Sequence, residues 1–155
     1  AMERVRAAIP DVTFGADVIV GFPGETEEEF AETIAFCRRA RFLHLHIFPY
    51  SIREGTEAAE MADQIPESVK KARVRALEAV DDEIRTAMLT EYVAAHRTEP
   101  VYVLVEKAED GVANGHTEHF VEVDIPTGRT DTVGKLLPVL LTETDGVICR
   151  GVFME

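Results

Sequence analysis

Residues 17–30 read DVIVGFPGETEEEF, and this stretch decides the fold of the first part of the chain. Residues 18–20 form an apolar run without a polar break, which is typical of a strand covered on both faces. Gly21 and Gly24 in the following loop let the backbone turn sharply and approach a ligand closely. The pattern predicts a buried strand that ends in a tight loop. Such carboxyl ends of parallel strands often bind ligands, although a strand-to-helix turn without a ligand fits the spacing equally well.

A capping pattern marks the start of a helix after this loop. Thr26 and Glu29 have the spacing of a capping box, and the glutamates of the first turn are favoured by the helix dipole. A helix is therefore expected over residues 27–39, and a second apolar run at residues 42–48 predicts another strand. Strand, helix and strand at this spacing predict a βαβ unit with parallel strands.

A second motif follows, since residues 44–59 read HLHIFPYSIREGTEAA. Together with GFPGETEEEF at residues 21–30, it resembles the radical S-adenosylmethionine methylthiotransferases. Around residues 50–59 the chain is most similar to the branch that modifies threonylcarbamoyladenosine beside the tRNA anticodon, and less similar to the isopentenyladenosine and ribosomal-protein branches. The resemblance covers the chain from about residue 12 to its end. It implies that the two strands belong to the last βα units of a six-stranded partial barrel.

The resemblance implies cofactors that this chain cannot hold alone. The family uses S-adenosylmethionine and iron–sulfur clusters, one on a CxxxCxxC loop and another on three cysteines of an N-terminal domain. This chain has only Cys37 and Cys149, which match neither motif, whereas a cluster needs several thiolates together. We expect a C-terminal fragment of such an enzyme that is inactive alone, with no catalytic residue, no metal and no bound cofactor. Both cysteines are expected to be buried small apolar side chains.

Five residues are candidates for lining the S-adenosylmethionine site that the resemblance implies: Ile19, Gly21, Phe48, Tyr50 and Ser51. His44 and His46 lie on the same strand face as Phe48. A His-x-His pair suits zinc, but no nearby carboxylate or cysteine has ligand spacing, so a polar lining of the cofactor cavity is favoured over a metal site. Arg53 has two interpretations, contact with a carboxylate or phosphate and pairing with a neighbouring glutamate.

A long amphipathic helix is predicted from Pro66 to about residue 97, because Pro suits a first turn and an apolar stripe follows helical spacing. The stripe consists of Leu77, Val80, Ile84, Met88 and Tyr92. Four cations lie near the start of the helix: Lys70, Lys71, Arg73 and Arg75. A charge run is usually a solvated face. In a chain with a net charge of −13, however, this basic cluster is also a candidate for contact with RNA phosphates.

From residue 98 the apolar pattern changes to period two in short strands, which predicts a small closed β-barrel. This segment resembles the TRAM domain, an RNA-binding barrel at the C-terminus of these enzymes. Residues 115–120, GHTEHF, match its Gly-x-Thr-x-x-aromatic turn. Residues 98–155 contain 11 acidic and 4 basic side chains, so RNA binding by the barrel alone should be weak. Arg129 and Lys135 are its candidate RNA contacts, and Phe120 is expected in the core rather than stacked on a base.

The predicted fold class is therefore α/β, with the last βα units of a radical S-adenosylmethionine partial barrel in residues 1–65. A long helix at residues 66–97 joins it to a small all-β TRAM barrel at residues 98–155. The resemblance implies that the whole enzyme adds a methylthio group to N6-threonylcarbamoyladenosine in tRNA. Two alternatives remain: a stand-alone, non-catalytic RNA-binding or assembly module, and a protein-interaction fragment without RNA affinity.

The expected partner is tRNA and the expected location is the cytoplasm. The sequence contains no run of 18 apolar residues and no visible signal peptide, and two cysteines fit a reducing compartment. We expect no membrane partner. The other strands of the family's barrel are absent, which leaves the outer edge of the first strand unpaired and predicts a homodimer through that edge.

Overall fold

A computed structural model describes residues 1–9 and 11–154 of the chain. The helices are α1 (Met2–Ala8), α2 (Glu27–Ala40), α3 (Glu57–Glu60) and α4 (Glu67–Ala95). The strands are β1 (Gly15–Val20), β2 (His44–Pro49), β3 (Val101–Glu109), β4 (Val112–Thr117), β5 (Glu122–Pro126), β6 (Leu136–Thr144) and β7 (Cys149–Phe153). Pro10, which the sequence predicts to end the first helix, lies outside the described residues.

The chain forms two compact units. One is Phe14–Ile84, called the βαβ unit below, and the other is Ala1–Thr13 together with Arg85–Glu155, called the barrel unit. The division falls within α4, whose first part belongs to the βαβ unit and whose second part belongs to the barrel unit. The division into residues 1–65, 66–97 and 98–155 stays a prediction.

The βαβ unit is built on one parallel pair of strands. β1 and β2 pair from Gly15↔His44 to Val20↔Pro49, with α2 between them in sequence, which confirms the predicted βαβ unit. The capping box at the start of α2 is also confirmed. The Thr26 hydroxyl accepts from the Glu29 amide at 3.1 Å, and the Glu29 carboxylate accepts from the Thr26 amide at 2.8 Å. A cap of this kind contributes about 1 kcal/mol to helix stability.

The two faces of this strand pair differ in burial. Val20 on β1 and Leu45 on β2 are buried, whereas the alternate residues of both strands face solvent within the unit. The exposed set consists of Gly15, Asp17, Ile19, His44, His46 and Phe48. The alternation agrees with the faces predicted from the period of two. The core of the unit is completed by Phe30, Cys37, Phe42, Leu43, Leu77 and Val80.

The buried stripe of α4 follows the prediction only in its first part. Leu77, Val80 and Ile84 are buried as predicted. Beyond Ile84, however, the buried residues are Leu89 and Val93, while the predicted Met88 and Tyr92 are only half-buried. The second part of α4 belongs to a different unit, so it buries a different face from the one that the continued sequence pattern indicates.

The barrel unit contains a closed five-stranded barrel with the strand order β3-β4-β5-β7-β6, which confirms the predicted small all-β barrel. All neighbouring pairs are antiparallel except β5 and β7, which are parallel. Its interior is filled by apolar side chains, among them Val103, Val105, Val123, Ile125, Val139 and Leu141. Gly115 is required where β4 passes β3, since a Cβ there would lie 2.0 Å from the Leu104 carbonyl oxygen.

Neither of the two longer helices has the character of a membrane span. Within residues 1–9 and 11–154, no helix combines the length and the apolar content needed to cross a bilayer.

Candidate functional site

The loop at the carboxyl end of β1 is the first part of the candidate site. Gly21 and Gly24 have φ angles of +70° and +84°, a region that favours glycine. The Gly21 amide donates to the Glu25 carboxylate at 2.6 Å, and the Gly24 amide donates to the Asp63 carbonyl at 2.8 Å. The loop is therefore held in one conformation by hydrogen bonds at both glycines.

Arg73 of α4 holds this loop from the other side. Its guanidinium binds the Glu25 carboxylate and the Glu27 carboxylate, each at 2.5 Å, and also donates to the Glu25 carbonyl at 3.1 Å. Arg73 is 4% exposed and lies 5.4 Å from the ring centroid of Phe30. Buried charges are tolerated when they are paired and hydrogen-bonded. Arg73 therefore fixes the loop and the start of α2 to α4.

Lys70 is the second buried cation of α4, with only 2% of its surface exposed. Its ammonium group binds Glu67 at 2.7 Å and lies 5.4 Å from the ring centroid of Tyr50. The stem of Lys70 passes so close to Gly21 that a Cβ at Gly21 would lie 2.5 Å from the Lys70 Cγ. Gly21 is thus required both for its φ angle and for the packing of Lys70.

These positions correct part of the predicted basic cluster. Lys70 and Arg73 are buried and bind carboxylates of the protein, so the four cations do not form one exposed surface. Lys71 and Arg75 are exposed. The physical reason is helical geometry. Residues 70 and 73 are three apart and lie on the face that packs in the βαβ unit, whereas residues 71 and 75 lie on the opposite face.

The five cofactor candidates divide into two groups. Ile19 and Phe48 are partners in the β1–β2 register and lie exposed side by side, at 58% and 50% of their surfaces. Gly21 and Tyr50 are buried near Lys70, and Ser51 is exposed. The structure therefore brings all five to the carboxyl end of the strand pair, with an apolar surface next to a fixed loop.

Tyr50 has the most constrained position of this group. Its amide donates to the Val20 carbonyl at 2.8 Å, and its ring contacts the Phe22 ring edge-on with 5.2 Å between centroids. Its hydroxyl is buried and has no hydrogen-bond partner within the described part of the chain. A buried hydroxyl without a partner is costly in a folded protein, which makes this atom a candidate for contact with a ligand.

The His-x-His pair lies where the strand pattern predicts. His44 and His46 are exposed on β2, and Asp17 is the register partner of His46 on the same face. Across residues 1–9 and 11–154, however, no three His, Cys, Asp or Glu side chains come together in an arrangement that could hold a metal ion. Arg53 is exposed in the following loop, and its two interpretations both stay open predictions.

A separate cleft of about 420 Å³ lies along α2 and α4. It is lined by Glu27, Phe30, Ser68, Val69, Ala72, Arg73 and Ala76. None of the five cofactor candidates lines this cleft, so it does not coincide with the site at the end of the strands.

The candidate RNA contacts of the barrel are engaged in an exposed ionic cluster. Arg129 and Lys135 both bind the Asp131 carboxylate, at 3.2 Å and 3.1 Å. Arg129 and then Lys135 hold the pKa of Asp131 well below its ordinary range, at about 2. Both cations therefore lie together on the surface, as RNA binding requires, but an acidic side chain lies between them.

The turn between β4 and β5 contradicts one prediction. Phe120 is 73% exposed, so the expected core position is wrong. The reason is a break in the period-two pattern. Phe120 adopts a left-handed φ of +58°, and the buried alternation resumes at Val121, which is 1% exposed.

The sequence analysis also missed a pair of side chains beside this turn. The Tyr92 hydroxyl lies 3.0 Å from His119 Nδ1, and the Thr13 hydroxyl donates to the His119 carbonyl at 2.7 Å. The only sequence signal for this contact was the polar end of the helical stripe at Tyr92. Such a contact links residues 27 positions apart, and no local pattern predicts it.

Both cysteines are buried, as the sequence predicts. Burial raises the pKa of the Cys37 thiol, and the negative charge of Asp81 adds to the effect. Burial also raises the pKa of Cys149, to about 11. Because the thiolate is the form that binds metals, both side chains are in surroundings that disfavour iron ligation.

Curated proteins similar to this chain are enzymes of tRNA modification. No protein-family model matches the chain. It is 37% identical over 99% of its length to the threonylcarbamoyladenosine tRNA methylthiotransferase MtaB of Bacillus subtilis. It is also 36% identical over 99% of its length to the tRNA-2-methylthio-N(6)-dimethylallyladenosine synthase of Staphylococcus haemolyticus, and 39% identical over 92% to that of Geobacillus thermodenitrificans.

The chain spans about a third of the length of these curated relatives, with 34%, 30% and 27% of each covered. The alignments include nearly every residue of the chain, so they span the glycine loop, α4 and the barrel. The chain is therefore homologous, along almost its whole length, to a C-terminal portion of the tRNA methylthiotransferase family.

Proposed function

We propose that this chain is the C-terminal portion of a radical S-adenosylmethionine enzyme that adds a methylthio group to an adenosine of tRNA. The observation that carries the proposal is the 37% identity over 99% of the chain to a curated tRNA methylthiotransferase. In this proposal the βαβ unit supplies the last βα units of the partial barrel, and the five-stranded barrel is the TRAM domain. Because tRNA is the substrate that the relatives' names give, a cytoplasmic location is part of the same proposal.

The carboxyl end of β1 and β2 fits the adenosine part of S-adenosylmethionine. Ile19 and Phe48 offer an adjacent apolar surface, and the fixed loop at Gly21 brings backbone groups close to it. Polar groups next to this apolar surface come from Tyr50, through its hydroxyl, and from Ser51, which both follow Phe48 closely in sequence. The residues of this chain do not fit an iron–sulfur cluster, because its two cysteines lie on α2 and β7 and are buried in different units. We therefore propose that the cluster ligands lie on other parts of the enzyme and that this chain is inactive alone.

The proposed nucleoside is N6-threonylcarbamoyladenosine, which rests on the sequence of residues 50–59 and on the relative from Bacillus subtilis. A second candidate is the dimethylallyl-modified adenosine, because relatives named for that product are 36% to 39% identical to the chain.

The proposed tRNA contacts are the exposed cations. On α4 these are Lys71 and Arg75, while Lys70 and Arg73 are assigned to holding the loop. In the barrel, Arg129 and Lys135 are the candidates. The cations are few in an acidic chain, so we expect weak and strongly salt-dependent binding.

The experiment is deletion of the gene that encodes this chain in its source organism, followed by mass spectrometry of tRNA nucleosides. We expect the methylthio form of threonylcarbamoyladenosine to disappear and to return on complementation. Loss of the dimethylallyl product instead would support the second candidate. If neither nucleoside changes, the chain is not part of such an enzyme, and the reading as a stand-alone RNA-binding or assembly module gains support.

The absence of cluster ligands is tested on the chain itself. Anaerobic reconstitution with iron and sulfide should give no cluster absorption and no cleavage of S-adenosylmethionine. Stoichiometric iron bound through Cys37 or Cys149 would contradict the proposal.

We also propose the homodimer that the sequence predicts, formed through the exposed edge of β1. Among the described residues β1 pairs only with β2, and Ile19 is exposed. A free strand edge is a template for pairing with another chain. Light scattering over a range of concentrations should show a dimer, and a charged substitution at Ile19 should abolish it. A monomer at every concentration would refute this contact.

A further inference from the structure

We propose that Phe120, at the tip of the β4–β5 turn, is a stacking platform for an unpaired base of the RNA substrate. The inference rests on the proposed function, which makes RNA the ligand, and it assigns a contact that neither the charge pattern nor the relatives' names provide.

Phe120 is the most exposed of the large apolar side chains in the described part of the chain, at 73%. Its φ of +58° is a left-handed conformation, which is unfavourable for a residue with a Cβ and rare for a bulky side chain. The fold thus accepts both solvent exposure of an aromatic ring and a strained backbone at one position. Strained residues of this kind cluster at ligand contacts.

The turn that carries Phe120 is held by several hydrogen bonds. The Phe120 amide donates to the Thr117 carbonyl at 3.0 Å. The Thr117 hydroxyl accepts from the amides of His119 and Val121 at 3.3 Å and 3.2 Å. On the other side, His119 is bound by Tyr92 and Thr13. The aromatic ring is therefore presented by a preorganised turn, which lowers the entropic cost of binding a ligand.

The surroundings of Phe120 favour a planar, uncharged ligand group. The His116 ring lies 6.2 Å from the Phe120 ring, tilted by 51°. Leu104, the register partner of both His116 and Leu136, adds exposed apolar surface next to His116. Nucleobases stack on such aromatic side chains without requiring a particular base.

The charge at this tip favours contact with a base rather than with a phosphate. Glu118 is exposed in the turn itself, and His116 contacts Glu106 at 3.1 Å. A phosphate would be repelled by these carboxylates, whereas a stacked base presents a neutral ring. Stacking at Phe120 should therefore contribute affinity that depends little on salt, in contrast to the contacts of exposed lysines and arginines.

The chain contains no tryptophan, so Phe120→Trp places a single fluorophore at the proposed site. The probes are an unmodified tRNA anticodon stem-loop and a short oligoadenylate. We expect both RNAs to quench the emission of this variant. Met154→Trp serves as the matched control, because Met154 is also exposed but follows β7, whereas Phe120 precedes β5, the parallel neighbour of β7. The two residues thus lie at opposite ends of the barrel. Met154 follows Phe153, whose ring centroid lies 5.9 Å from the Arg129 guanidinium, so any quenching at Met154 should report ionic contact at Arg129 and vanish at high salt, whereas quenching at Phe120 should persist.

Two further variants separate stacking from simple apolar contact. Phe120→Tyr keeps the aromatic ring and should bind the stem-loop as the wild type does. Phe120→Leu keeps apolar volume without a ring and should lose roughly ten- to hundredfold in affinity, with little change in the salt dependence. Circular dichroism should show the same folded barrel for both variants.

The results that overturn the proposal are distinct from those that overturn the function. If the wild-type chain binds RNA, but Phe120→Leu binds equally well and the tryptophan is not quenched, the stacking site is refuted while the tRNA proposal stands. Absence of RNA binding by every variant also refutes it, and the deletion experiment then judges the function separately. A shift of the tryptophan emission with protein concentration, without RNA, would show that a second copy of the chain covers Phe120 instead.

Discussion

Two ionic clusters of this chain have similar components and opposite surroundings. In the βαβ unit, Arg73 binds Glu25 and Glu27, and the side chains of Arg73 and Glu25 are only 5% and 13% exposed. In the barrel unit, Asp131 binds Arg129 and Lys135, and all three side chains are at least half exposed. A sequence shows both as short runs of charge. The structure assigns the first to holding a loop and leaves the second free to meet a ligand.

Because the two clusters differ in burial, mutations in them should affect the free energy of unfolding to different extents. Exposed ion pairs contribute between nothing and about 1 kcal/mol, because water and salt screen them. A buried pair adds little net stability over an apolar equivalent, but removal of one partner leaves a buried charge that is strongly unfavourable. The βαβ cluster should therefore respond to mutation through folding, and the barrel cluster through binding.

The largest effect is expected from Arg73→Met. This change leaves the Glu25 carboxylate largely buried, with the Gly21 amide as its one remaining hydrogen-bond partner among residues 1–9 and 11–154. The free energy of unfolding should therefore fall by roughly 3 to 5 kcal/mol. Urea denaturation followed by circular dichroism measures it. Arg75→Met is the matched control, because Arg75 is exposed on the same helix, and its effect should stay within about 0.5 kcal/mol.

A double variant sharpens this test. Arg73→Met combined with Glu25→Gln removes both charges, so much of the lost stability should return. If the double variant is as unstable as the sum of the two single changes, the buried charge is not the cause, and the loss must be assigned to packing against Phe30.

The elements whose sequence signals are local could be predicted correctly from the sequence. The capping box at Thr26, the two glycine positions in the loop and the alternation of β2 each depend on residues within a few positions of one another, and the structure has all of them. The small barrel followed from strand spacing in the same way.

The errors arose where tertiary contacts override a local pattern. Lys70 and Arg73 look like part of one basic surface until Glu25, 48 positions away from Arg73, is placed beside it. Phe120 fits the alternation of a strand, but its left-handed φ changes the direction of the chain, so its side chain points away from the core. The spacing of apolar residues encodes neither the contact partners of Lys70 and Arg73 nor the backbone conformation of Phe120. A sequence pattern alone therefore assigns these side chains to the wrong surface.

The second prediction applies the same burial rule to the barrel unit. Burial raises the pKa of Cys149 to about 11, so the folded state favours the neutral thiol. The resulting stability is fully present below the ordinary thiol pKa near 9 and is lost as the pH rises towards 11. The free energy of unfolding should fall by about 2 to 3 kcal/mol across that window. Cys149→Ser, measured by urea denaturation at each pH, should reduce this slope and leave the part that is due to Cys37, whose pKa burial also raises; an unchanged slope would contradict the assignment.

The third prediction concerns the exposed tip of the barrel. Phe120→Asn removes a ring that makes little contribution to the core, and Asn tolerates the left-handed conformation at φ +58°. The free energy of unfolding should stay constant or rise by up to about 1 kcal/mol. Val121→Asn is the contrasting change, since Val121 is buried and should lose stability. A clear loss of thermal stability in Phe120→Asn would show that the ring is structural.

The smallest effect on folding is expected from Asp131→Asn in the exposed cluster. All its partners are solvated, so the free energy of unfolding should hardly change. RNA affinity should rise several-fold at low salt, because Arg129 and Lys135 are released to bind phosphates and a repelling charge is removed. The slope of the logarithm of the binding constant against the logarithm of the salt concentration should become steeper. The change should be about 0.7–0.9 for each new phosphate contact, which corresponds to about one to two released counterions. Glu143→Gln provides the control, since it removes one exposed acid that binds Arg150 at 3.2 Å. If both changes raise affinity equally, only net charge matters; if neither does, the barrel cations do not face RNA and α4 carries the electrostatic contact.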